Sequence, residues 1–147
     1  MNTNRIGKIA VRAIEKQSMT NEDVRELKGC LVDDDFISRE EAEDLLRIER
    51  LVPRTVWSWS EFFIETVTAH LVWERRPTGR ILQDDAEWLL GMLDLPRAAS
   101  APNLRILLFS LVSEAEEVDQ RLIARAMYEN TLAREAGDLG TGYPRAA

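Results

Sequence analysis

An all-α fold is what this chain of 147 residues predicts, and three observations carry it. Apolar residues recur at helical spacing along the chain, and no segment shows the alternation of a half-buried strand. The stretch ISREEAEDLL, residues 37–46, returns as ILQDDAEWLL, residues 81–90, at an offset of 44 residues between Ile37 and Ile81. A repeat of that period signals a duplicated helix-loop-helix unit, because one unit cannot bury its apolar face alone. Helix-capping patterns of the Ser/Thr-x-x-acid kind stand where the apolar runs begin. One domain is expected over residues 1–136, with repeat units at about 20–52 and 59–94, C-terminal helices at 102–135 and a disordered tail at 137–147.

The elements follow in order. Ile6, Ile9, Ala10, Ala13 and Ile14 set a first helix over residues 4–16. Thr20 caps a second, with Asp23 placing negative charge at its positive end and Val24, Leu27 and Leu31 on its buried face. The run Val32-Asp33-Asp34-Asp35-Phe36 reads as a loop, since adjacent aspartates repel and compete for backbone hydrogen bonds. Ser38 and Glu41 form a capping box that opens a helix over 39–51, which buries Ala42, Leu45 and Leu46 and stops at Pro53. Ser58 and Glu61 suggest another box, opening a helix through about Glu74. Its expected inner face is Trp59, Phe62, Phe63, Thr66, His70 and Trp73, with Glu61, Glu65 and Thr68 opposite. Pro77-Thr78-Gly79 is the second loop, and Ile81 restarts the repeat with Ala86, Leu89, Leu90 and Leu93 inward. After a Pro- and Ala-rich connector, Leu104, Leu107, Leu108, Leu111, Ala115, Val118, Leu122 and Ala126 stay in helical phase. Ser113-x-x-Glu116 interrupts them with a capping signal, so one kinked helix or two nearly collinear ones are expected.

The charge and composition exclude several roles. A formal charge of -7 opposes a general nucleic-acid or anionic-membrane surface, which needs a cationic face. No apolar run approaches the roughly 20 residues of a membrane span. The N-terminus carries charges through its apolar positions, unlike a signal peptide, and a cytoplasmic location is the expectation. Cys30, the one cysteine, reads as a buried or half-buried thiol in a reducing compartment. No phosphate-binding glycine loop, dinucleotide fingerprint, Gly-x-Ser-x-Gly elbow or zinc spacing occurs.

The two loops resemble degenerate EF-hands. With Ile37 and Ile81 at the eighth loop position, the first loop places Cys30, Val32 and Asp34 at the early ligand positions, Asp35 at the glycine position and Glu41 at the end. The second places Glu74, Arg76 and Thr78 there, then Gly79, then Asp85. The isoleucine and the closing acid persist; most ligands do not. The sequences at 37–46, 59–63 and 102–111 also resemble the TerB-like (tellurite-resistance-type) helical family, over roughly residues 19–126. That resemblance implies an all-helical, TerB-like bundle, at most an acidic metal site, and no established reaction. The resemblance also implies that Ile37 and Ile81 pair as a short antiparallel bridge, because an EF-hand pair is joined at that position.

Candidate sites are weighed on their chemistry. Asp33, Asp34 and Asp35 with Glu41 offer oxygens for a hard cation, or else are solvated helix-start acids stabilised by the dipole. Calcium binding absent or no tighter than roughly millimolar is the expectation there. Arg75, Arg76 and Arg80 crowd the second loop and would repel a cation; they suit an anion or an acidic partner, or lie solvated. His70, the only histidine, is a base or ligand in the sharp reading and a packed core residue in the bland one. Trp88 replaces Asp44 of the first copy, a position expected to face solvent, so Trp88 and Met92 are the expected interface. The function expected is a non-enzymatic interaction module binding a protein partner or a second copy, with no cofactor. A weak divalent-cation or small-ligand sensor using loop 33–41 is the alternative, and an enzyme with a site near His70 a distant third.

Overall fold

The computed structural model describes residues 5–31, 36–97 and 101–135. Among them the chain is all-α in class, with seven α-helices, one π-helical turn and two strands of two residues. Helix α1 (Arg5–Lys16) buries Ile6, Ile9, Ala10 and Ala13, and packs along α3 (Arg39–Leu51). Helix α2 (Asn21–Cys30) starts with a full capping box, in which Thr20 and Asp23 satisfy each other's amides. Ser38 and Glu41 do the same for α3, which is buried over much of its circumference. That burial reaches Asp44, held against Gly7 and ion-paired to Arg47. The outward, solvated Asp44 expected from the repeat is therefore corrected: α1 covers that side of α3.

Helix α4 (Trp57–Ala69) brings Trp59, Phe62 and Phe63 into the core. The Ser58–Glu61 box does not form. The helix starts two residues earlier, with Val56 as its N-cap, and the Ser58 hydroxyl turns to Asn21 Oδ1 at 2.6 Å. Thr68 is not on an outer face either. Helix α6 (Pro102–Glu114) packs over it, and Thr68 Oγ1 lies 3.0 Å from Ser110 Oγ. The chain then widens into a π-helical turn, His70–Glu74.

Strand β1 (Arg80–Ile81) leads into α5 (Gln83–Leu93). Beyond α6, β2 (Glu117–Val118) precedes α7 (Gln120–Glu135). β1 and β2 are parallel, with Arg80 opposite Glu117 and Ile81 opposite Val118. This overturns one expectation, the Ile37–Ile81 bridge, and leaves the all-α class intact. Ile81 O accepts the Asp119 amide at 2.8 Å, whereas the Ile37 amide donates to Glu74 Oε1 at 3.1 Å. The second loop thus finds its backbone partner in the α6–α7 link, not in the first loop.

The same link corrects the C-terminal helices. Ser113 sits in the last turn of α6 and begins nothing. The amides of Glu116 and Glu117 leave the helix to reach Gly79 O, at 2.7 and 3.2 Å. The Asp119 carboxylate then accepts the Arg121 amide at 2.9 Å at the start of α7. The two helices pack on each other rather than running on collinearly. Gly79 lies in the left-handed region at φ +80°, a conformation that glycine adopts freely and other residues rarely do. The tail at 137–147 and the acidic triplet Asp33, Asp34 and Asp35 lie outside the described residues.

Beneath these helices runs one buried polar tie. Glu49 accepts Trp59 Nε1 at 2.8 Å and the side-chain amide of Asn103 at 3.1 Å on one oxygen. Its other oxygen accepts the Asn103 backbone amide at 3.0 Å. One carboxylate thereby joins α3, α4 and the first turn of α6, where unpaired amides gather.

Candidate functional site

The two repeat copies diverge at the residue before each helix, and the site follows from that change. Ser38 caps α3, but its counterpart Leu82 has no side chain able to cap α5. Asp85, the counterpart of Glu41, is released from capping and serves as a tie between copies. Its Oδ1 accepts Arg39 Nη2 at 2.6 Å and Arg75 Nε at 2.9 Å. The Arg39 guanidinium also lies over the Trp88 ring, 3.9 Å from its centroid. Trp88 Nε1 donates to Glu43 Oε2 at 2.7 Å.

Trp88 therefore does not stand free of the fold. It is half buried, roofed by Arg39 and tethered to Glu43, both on α3. Met92, one turn on, is also half buried against the core. The side chain covering Trp88 comes from the first repeat copy, which the wheel of α5 alone could not show. Leu82 in place of Ser38 was the readable signal that Asp85 had lost its capping duty.

His70 meets the other side of this cluster. Its ring lies edge-on to Trp88, with centroids 6.2 Å apart, and is 2% exposed. Nδ1 is 3.6 Å from Glu74 Oε1, outside hydrogen-bonding range, and neither ring nitrogen has a hydrogen-bond partner among the described residues. The i,i+4 spacing of His70 and Glu74 is readable in sequence. In this arrangement His70 packs within the fold and reaches no outer surface, and Glu74 is engaged by the Ile37 amide.

Glu41 alone of the four expected metal ligands is described, and both its oxygens are committed. Oε1 accepts the Ser38 amide and Oε2 accepts Arg5 Nε, each at 2.9 Å. Among the described residues no group of three or more His, Cys, Asp or Glu is placed to hold a metal ion. Arg75, Arg76 and Arg80 line a cleft of about 230 Å³ together with Asp84 and Asp85. Two of those arginines are already paired, Arg75 with Asp85 and Arg80 with Glu117. Cys30 is half buried, and burial pushes its thiol up from its usual range.

The surface that the sequence reading passed over lies on α6 and α7. Phe109 is 72% exposed, Met127 67%, Tyr128 58% and Leu132 42%. Leu122 is the one fully buried residue of α7. Helical phase from Leu104 to Ala126 suggested a continuous buried stripe, but the break at 115–119 resets that phase. Comparison with family models, with curated proteins and with solved structures finds no match to this chain.

Proposed function

We propose that this protein is a non-enzymatic interaction module whose contact surface is carried by α6 and α7. The observation that supports it is the exposure of Phe109 on α6, whose other face lies in the core, and of Met127, Tyr128 and Leu132 on α7, which buries only Leu122. Large aromatic and Met side chains in that setting favour contact with another macromolecule. A ring of Phe109's kind brings roughly 150 Å² of apolar area, so covering it contributes on the order of 3 kcal/mol at about 25 cal/mol per Å². Trp88 then has a framework role, joining the repeat copies through Arg39 and Glu43, with Met92 packed against the core.

A TerB-like, EF-hand-derived architecture is part of the same proposal. Matched helix starts after Ile37 and Ile81 support it, as does a left-handed Gly79 at the loop's glycine position. Against an intact metal loop stand both oxygens of Glu41 and Oδ1 of Asp85, which are already bonded to protein donors.

A photoreactive residue at position 109 tests the function, with the exposed Arg25 position as control. Cross-linked adducts from position 109 alone, identified by mass and reproduced with the purified partner, are expected. Phe109→Asp should abolish that binding while helical circular dichroism is unchanged. Equal adducts from both positions would sink the proposal.

A further inference from the structure

We infer that the exposed face of α7 pairs with the same face of a second copy, antiparallel, about a two-fold axis at Tyr128. The inference rests on the interaction-module reading and names its partner. The exposed line of α7 runs Arg121, Ala124, Tyr128, Leu132 and Glu135. Steps of three and four residues keep these on one side of a helix, the spacing of a helix-pairing seam.

An antiparallel two-fold at Tyr128 sets residues equally distant from it face to face. Arg121 then meets Glu135, opposite charges at both ends of the seam. Ala124 meets Leu132, a small side chain against a large one, so the layer interdigitates. Tyr128 meets its own copy at the axis, stacked or edge-on. A parallel pairing loses all of this. It sets Arg121 on Arg121 and Glu135 on Glu135, and leaves Ala124 on Ala124 as a gap. Charge and shape therefore choose the same arrangement, and the closed two-fold makes a dimer rather than a filament.

The end groups keep capacity for these contacts, although Arg121 already carries two ion pairs within its own chain. Arg121 uses Nη1 for Glu87 at 3.1 Å and Nε for Asp119 at 3.2 Å, which leaves other guanidinium donors for Glu135 of the second copy. Glu135 has no ion-pair partner among the described residues. A seam of about four helical turns is small beside a standard interface of roughly 1,600 Å². The dimer is accordingly expected to be concentration-dependent, with a dissociation constant in the micromolar range.

Sedimentation velocity on the full chain, from about 1 μM to about 1 mM, reads the association over the range expected for a small interface. The intact chain is expected to shift from monomer to dimer across that range. Glu135→Arg sets like charges at both ends and should weaken dimerisation at least tenfold. Adding Arg121→Glu in the same chain restores opposite charges and should recover it. Tyr128→Cys in a Cys30→Ser background should give an intermolecular disulfide with copper phenanthroline as oxidant, and Arg134→Cys should not. Circular dichroism of each variant confirms that the helices persist. A chain that stays monomeric throughout overturns the inference, as does a dimer indifferent to Glu135→Arg or one that cross-links equally through position 134. A monomer that still forms partner-specific adducts at position 109 overturns this pairing and leaves the interaction module standing.

Discussion

Removing the Glu49 carboxylate should cost more than any surface change, and the structure gives the magnitude. In Glu49→Ala, Trp59 Nε1 and the Asn103 backbone amide lose their acceptor, while the Asn103 side-chain amide keeps Ser60 Oγ at 3.0 Å. Two buried donors left without partners cost about 1–3 kcal/mol each. Relief from burying a carboxylate with no cationic partner offsets part of this, so a net loss of about 3 kcal/mol is expected. At roughly 2–4 °C per kcal/mol, the midpoint should fall by about 6–12 °C. Glu49→Gln keeps one acceptor but turns an NH₂ toward a backbone donor, and should lose about 1–2 kcal/mol.

The pH dependence separates charge from hydrogen bonding. Burial pushes the Glu49 carboxyl above its ordinary 4.5, against the downward pull of its bonds from Trp59 and Asn103. The folded state thus holds the proton more readily than the unfolded one. The carboxyl's contribution improves as pH falls from the raised folded value toward 4.5, and worsens as pH rises through that window. Thermal unfolding of wild type and Glu49→Gln at matched pH values measures it. The gap in favour of wild type should widen as pH is lowered toward 4.5. A Glu49→Ala variant within about 0.5 kcal/mol of wild type would refute the tie between α3, α4 and α6.

Three other outcomes are expected. Burial would raise the Asp23 carboxyl, but bonds from Lys16, Thr20 and Arg12 outweigh it and hold it at about 2 against an ordinary 3.8. Asp23→Asn should therefore cost roughly 2 kcal/mol at neutral pH, at about 1.4 kcal/mol per pK unit, and that difference should fade as pH drops from 3.8 toward 2 in acid titration by circular dichroism. Trp88→Phe keeps a ring beneath Arg39 but strands Glu43, and chemical denaturation should show a loss of about 1 kcal/mol, with Trp88→Ala losing about 3. Gly79→Ala forces a side chain into the left-handed region and sets its Cβ 3.4 Å from the Glu116 carboxyl carbon, so a loss of about 1–2 kcal/mol is expected from thermal melts.

The residues themselves determined the helices that carry their own start signals. Thr20 with Asp23 and Ser38 with Glu41 close capping boxes from groups three residues apart, so nothing distant is needed to specify α2 and α3. The inward phase of Ile6, Leu45, Phe63 and Leu107 is likewise local, set by the 3.6-residue turn. Tertiary structure decided whatever depended on a partner from another element. Ser58 had a competing acceptor on α2, and Thr68 and Asp44 were covered by α6 and α1. Ile81 bonded to a link nearly forty positions along rather than to its repeat mate. The phase of α5 alone turns Trp88 away from the core, yet Arg39 and Glu43 on α3 roof and tether it. Helical periodicity states which face of a segment is apolar; it does not state which faces the remaining helices have area enough to cover. On α7 they cover little beyond Leu122, and the exposed Met127, Tyr128 and Leu132 are the result.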